Sequence, residues 1–214
     1  MSSRLFDLLV ADIPSGFCTA ALDRMQRIYP EAYESVKNDP RFGEPEVKYM
    51  HGHTRRALVE FGLRELAVAH KVKVEMKRAE GFGGPEHVML SSGRFCFTAC
   101  HVPSMSTFPR DSRYREQYSA INEHVTQGQL FAVASNPAEA DIYGIIIHCE
   151  AVGSKSKLGT LSIGFPNQKY NDWIDEPIAL VDIADAQARL HQKEQPGSAE
   201  PKWKKKKDTG EKGD

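Results

Sequence analysis

Glu75 and Lys77 are the residues whose types and spacing come nearest to a catalytic pair. A strand puts positions i and i+2 on one face, so the carboxylate of Glu75 and the amine of Lys77 would lie side by side. Such a pair suits metal-dependent phosphodiester cleavage, in which the acid holds a divalent ion and the lysine faces the scissile phosphate. The cysteines and histidines offer less. Cys100 precedes His101, and His148 precedes Cys149. Neighbours on a strand diverge, so neither pair can act as nucleophile and base, and no C-x-x-C spacing marks a metal site. Cys18, Cys96, Cys100 and Cys149 therefore read as reduced core residues, and no cofactor or metal is expected. His148 and Glu150 share a face and read as a polar pair on the solvent side of a sheet.

Glu75-Met76-Lys77 resembles the E-x-K half of the PD-(D/E)xK nuclease motif. The expected order of helix, three strands, helix and strand over 54–134 is similar to the core of those nucleases. The resemblance implies a restriction-endonuclease-like fold and a metal-dependent nuclease with a further acid on the strand before Glu75, a place that Glu60 or Glu65 of the preceding helix would have to fill here. The pattern departs from the family in two places. A helix, not a strand, precedes Glu75, and the third strand, Arg94-Phe95-Cys96-Phe97-Thr98, has no carboxylate.

Basic stretches suggest phosphate contact instead. His51-Gly52-His53-Thr54-Arg55-Arg56 lies at the start of one expected helix, and Arg110, Arg113, Tyr114 and Arg115 open another. Lys202, Trp203, Lys204, Lys205, Lys206 and Lys207 near the end of the chain combine cations with a stacking ring and no intervening acid, which suits weak nucleic-acid binding. The whole chain of 214 residues has a net charge of −1, so it is not a strongly basic nucleic-acid binder throughout. Gly81-Phe82-Gly83-Gly84 is followed by Pro85 and a strand, so it lacks the helix N-terminus that a phosphate loop requires.

The elements that must position these residues are read from periodicity. Helices are expected at the N-terminus around Leu5, Leu8 and Leu9, from Ser15 to Ile28, and from Glu31 to Lys37. A longer one is expected from Thr54 to His70, with Leu58, Phe61, Leu66 and Ala69 as its apolar stripe. Gly62 inside that helix implies a close neighbour. Strands are expected at 72–78, 87–90, 94–102, 130–134, 143–152 and 158–165, the fifth and sixth joined by a hairpin at 153–157, and 178–183 reads as a last short strand or the lead-in to a final helix. A helix at 112–126 would bury Tyr114, Tyr118, Ile121 and Val125. The fold class is therefore α+β: an N-terminal helical segment (1–45), an α+β domain (46–186) with a mostly antiparallel sheet braced by two helices, and a flexible basic tail (187–214) too poor in apolar residues to order itself. No apolar run approaches the ~20 residues that span a bilayer, and the expected setting is cytoplasmic. The expected function is a non-enzymatic binding or regulatory protein acting through a protein or nucleic-acid partner, with the nuclease as the alternative.

Overall fold

The computed structural model describes residues 4–78, 86–126 and 142–194. The fold is α+β: a six-stranded mixed sheet in the order β1-β2-β3-β4-β5-β6, with its main helices on one face. The strands are β1 (Lys73–Lys77), β2 (His87–Ser92), β3 (Phe95–His101), β4 (Ile142–Ala151), β5 (Ser154–Gly164) and β6 (Ile178–Ala179). All neighbours pair antiparallel except β3 and β4, which run parallel with His101 opposite His148. A parallel pair needs a crossover, and the chain between these two strands supplies it.

Three helices precede the sheet: α1 (Arg4–Asp12), α2 (Phe17–Lys37) and α3 (Glu44–Ala69). Two boundaries differ from expectation. Pro30 removes one backbone donor but does not end α2, so the two helices read there are a single one. Helix α3 begins ten residues before Thr54, at Gly43-Glu44-Pro45, because proline is tolerated in a first turn whose amides are unbonded anyway. The buried stripe also differs from expectation, because two polar residues, His51 and Arg55, belong to it. His51, Arg55, Val59, Gly62, Leu63 and Ala67 face inward, while Phe61 is 45% exposed. Gly62 lies where the notional Cβ would come within 2.8 Å of Ile28 Cδ1 and 3.2 Å of Arg24, so the glycine marks the close approach of α2 to α3.

One core joins Leu5, Leu9, Met25 and Ile28 of the helices to Val88, Phe95, Phe97, Ile146 and Ile163 of the sheet. Asp12 fastens α1 to the β2–β3 turn by accepting hydrogen bonds from the Arg94 backbone N–H (3.0 Å), Nε (2.8 Å) and Nη2 (2.9 Å). The helix expected at 112–126 is broken into α4 (Arg113–Ser119), a 3-10 turn (Ala120–Asn122) and α5 (Glu123–Thr126). The break turns Asn122 inward, where its amide donates to the carbonyls of Tyr143 and Pro166 at 2.8 Å each, and leaves Ile121 exposed. The β4–β5 hairpin is tighter than expected. Gly153 takes φ +75 and β5 already starts at Ser154, a conformation that glycine adopts without penalty.

Helix α6 (Leu180–Glu194) overlaps the start of the expected tail at 187. Leu180 and Ile183 of α6 join the core, and the buried Gln187 side chain donates to the carbonyls of Val10 and Ile13, so the start of the expected tail is held by a helix already anchored upstream. The strand expected at 130–134, the glycine loop 81–84 and the lysine cluster Lys202–Lys207 lie outside the described residues. No single described helix is long and apolar enough to cross a membrane.

Candidate functional site

The expected nuclease residues lie on the periphery of the sheet. Glu75 and Lys77 stand on β1, an edge strand, and pair with each other at 2.7 Å; Lys73 joins the same carboxylate at 2.9 Å. Hydrogen bonds from Lys77 and then Lys73 lower the Glu75 carboxyl to about 2. Glu60 accepts from Arg56 one turn away, and Glu65 pairs with Arg24. Neither helix acid therefore joins Glu75 and Lys77 in an ion pair. Strands β2 and β3, His87–Ser92 and Phe95–His101, carry no carboxylate.

The polar residues that do come together lie at the C-terminal ends of the parallel strands. His148 is 2% exposed, not on a solvent face, because β4 is an interior strand covered on both sides. Its Nδ1 shares a 2.8 Å hydrogen bond with the Tyr29 hydroxyl. His101 packs edge-on against it, ring centres 5.6 Å apart. Arg55 of α3 reaches over the Tyr29 ring and donates from Nη1 to Glu150 Oε1. His101 Nε2 stands 4.0 Å from the same carboxylate oxygen. Burial, reinforced by neighbouring Arg55, holds His101 at about 4 and His148 well below the ordinary histidine range. Burial likewise raises the Tyr29 phenol. Tyr29, His101 and His148 are thus uncharged at neutral pH, and Arg55–Glu150 is the charged pair among them.

One helical turn outward from this seam lies a cleft of about 500 Å³ lined by Tyr33, Lys37, Phe42, Gly43, Glu44, Val47, Lys48, His51 and Lys155. Three elements run from seam to cleft. On α2, Tyr29, Tyr33 and Lys37 recur every four residues and so share one face. On α3, Arg55, His51 and Val47 do the same in the opposite direction. The β4–β5 hairpin contributes Glu150 and then Lys155. His51 is 5% exposed, packs edge-on against Tyr33 with ring centres 5.6 Å apart, and leaves Nε2 without a hydrogen-bond partner. Burial, then Arg55, lowers its pKa. Lys37 lies over the Tyr33 ring. Lys37, Lys48 and Lys155 make no ion pair among the described residues, and Glu44 is the one carboxylate in the lining.

Of the basic stretches, 51–56 divides. His51 and Arg55 turn inward to this site, while His53 and Arg56 face solvent. The stretch at 110–115 divides too, since Arg115 is half-buried against the Tyr114 ring. Burial raises the thiols of Cys18 and Cys96 to about 12, and all four cysteines are free. Among the described residues no group of three or more His, Cys, Asp or Glu side chains is arranged to hold a metal ion. No protein-family model, curated protein or solved structure matches the chain.

Sequence reasoning passed over Tyr29, Tyr33, Lys37, Lys48 and Lys155. The available signal was the four-residue recurrence of polar side chains on α2, on the face that its apolar residues also use.

Proposed function

We propose that the protein is a non-enzymatic binding protein, and that it engages a phosphate-bearing nucleic-acid partner in the lysine-lined cleft. One observation carries the reading: three lysines without carboxylate partners among the described residues surround a concave site. Ligand sites commonly fall within ~300–1,000 Å³, and this cleft is of that size. Uncompensated ammonium groups around a cavity raise the local concentration of anions. Tyr33 and Phe42 in the wall add aromatic faces on which a base can stack, which favours nucleic acid over an acidic peptide. The seam beneath holds the walls in place rather than supplying a reacting group, since its carboxylate is taken up by Arg55.

The test is the salt dependence of binding to a fluorescent single-stranded oligonucleotide. Each phosphate neutralised on a single strand contributes a log–log slope of about −0.7. The Lys37→Glu/Lys155→Glu variant should therefore lose about 1.4 from the slope of the intact chain. Lys202–Lys207 are present in both forms, so the difference isolates the cleft. Equal slopes and affinities for the two proteins would overturn the reading.

A further inference from the structure

Resting on the binding reading above, we propose that the cleft is selective for a terminal phosphate monoester, the 5′-phosphate of a nucleic-acid strand, gripped by Lys37, Lys48, Lys155 and His51. A phosphodiester carries one negative charge per nucleotide, and a chain of them presents that charge along an extended groove. A cleft of about 500 Å³ has room for one terminal nucleotide rather than a run of backbone. Three ammonium groups around so small a volume are matched better by one dianion than by one monoanion.

The second observation is the floor. His51 is 5% exposed and its Nε2 has no partner. A buried polar atom left unsatisfied is costly and calls for an explanation. A phosphate oxygen in the cleft supplies the missing partner. The third is the wall at Gly43 and Glu44, the start of the 26-residue α3, where no side chain caps the first turn. Its unbonded amides and the helix dipole favour an anion. Glu44 and Glu46 of that first turn oppose the anion, and both are exposed to solvent, which screens them.

Proton balance follows from the groups around His51. From α2 it faces Tyr33 and Lys37; from α3, Glu44, Lys48 and Arg55; from β3, His101; from β4, Glu150; from β5, Lys155. In the free protein burial and the cations keep the imidazole neutral. A dianion reverses that balance, so His51 takes up one proton from solvent as the ligand enters, and no covalent bond changes. A monoester whose second ionisation lies near ~6 arrives at pH 7.5 mostly as the dianion.

The experiment uses the full chain and two dodecathymidylates labelled at the 3′ end, one with a 5′-phosphate and one with a 5′-hydroxyl. The 5′-phosphate strand should bind at least about 10-fold tighter at pH 7.5, the effect of roughly one extra charge-assisted hydrogen bond. Millimolar inorganic phosphate should displace the 5′-phosphate strand and, at the same concentration, compete more weakly with the hydroxyl strand, which holds the cleft by diesters alone. Calorimetry in buffers of different ionisation heat should show uptake of about half a proton or more, abolished in His51→Gln. Lys48→Ala, at an exposed position, should lower the preference without loss of fold, so the test survives if His51→Gln unfolds. Equal binding of the two strands, with the lysine-dependent slope retained, would overturn this proposal and leave the binding reading standing. Loss of the lysine dependence would overturn both. A phosphoserine peptide that displaces the probe better than thymidine 5′-monophosphate would reassign the cleft to a protein partner.

Discussion

Replacing Arg55 with methionine tests whether the polar seam supports the site. Arg55 has a side-chain exposure of 5%, Glu150 one of 28%. Removing one member of a fully buried pair costs about 3–5 kcal/mol, because the other charge is stranded. Here water reaches the carboxylate, so the loss approaches that of a hydrogen bond to a charged group, about 1.5–3 kcal/mol. Methionine also eliminates the buried Arg55 Nε, which has no partner, and that recovers roughly 1 kcal/mol. The net expectation is a destabilisation of about 1 kcal/mol, or a fall of about 2–4 °C in Tm for a chain of this size. The double variant Arg55→Met/Glu150→Gln strands no charge and should be the more stable of the two by about 1 kcal/mol. Chemical denaturation of the wild type and the three variants closes the cycle. The same substitution removes the cation that helps to hold His101 at about 4, so NMR titration should show His101 moving upward. The reasoning is refuted if the single variant is as stable as the double, or if His101 does not move.

Two further predictions follow from burial. His101 and His148 are held below their unfolded value of about 6.5, so between pH 6.5 and 4.5 the unfolded chain binds more protons and stability falls as pH falls. The urea midpoint should drop across that window and the drop should shrink in His101→Asn; a flat midpoint above pH 4.5 would contradict the burial of these rings. Phe97→Ala should cost about 3–5 kcal/mol, as for a buried aromatic, since Phe97 is 4% exposed and stacks on Phe95 with ring centres 5.7 Å apart. Glu75→Ala on the edge strand should stay within about 0.5 kcal/mol, and comparable losses from the two in urea denaturation would place β1 in the core instead.

What could be read from the chain depended on how local the deciding interaction was. The alternation in β3, with Phe95, Phe97 and Ala99 on one face and Cys96, Thr98 and Cys100 on the other, is a backbone property of a strand. It matches the division of these side chains between the two sides of the sheet. Gly62 was legible for a similar reason, because an unforced glycine in a helix costs up to ~1 kcal/mol relative to alanine, and Ile28 occupies the space that a Cβ would take. Boundaries failed where a tertiary contact outweighed local preference. Pro30 does not end α2 because the flanking residues Ile28, Tyr29 and Ala32 are all buried, and packing of that kind outweighs one lost hydrogen bond. The stripe on α3 was misplaced because His51 and Arg55 look like solvent residues by type. Burying them requires partners more than ninety positions away, Glu150 for Arg55 and Lys155 in the wall shared with His51.

The site escaped notice for that same reason. Histidine and glutamate two apart in His148-Cys149-Glu150 describe a polar face equally well in solvent or beneath two helices. Only the crossing of α2 and α3 over the ends of β3 and β4 decides between them. Once Tyr29 and Arg55 cover that end, the carboxylate is neutralised and the imidazoles lose their charge. The next turns outward, at Tyr33, Lys37, His51 and Lys48, then have no acid beneath them to answer their own charge. The cleft is basic because Arg55 has already neutralised the Glu150 carboxylate beneath it, leaving the exposed Glu44 as the one acid in the lining, so binding by the lysines and stability of the seam are linked. Glu150→Gln should therefore strengthen anion binding in the cleft while weakening the fold. Anisotropy with the 5′-phosphorylated strand, beside a urea melt, reads both at once. If affinity and stability fell together, the seam would be holding the walls without shaping their field.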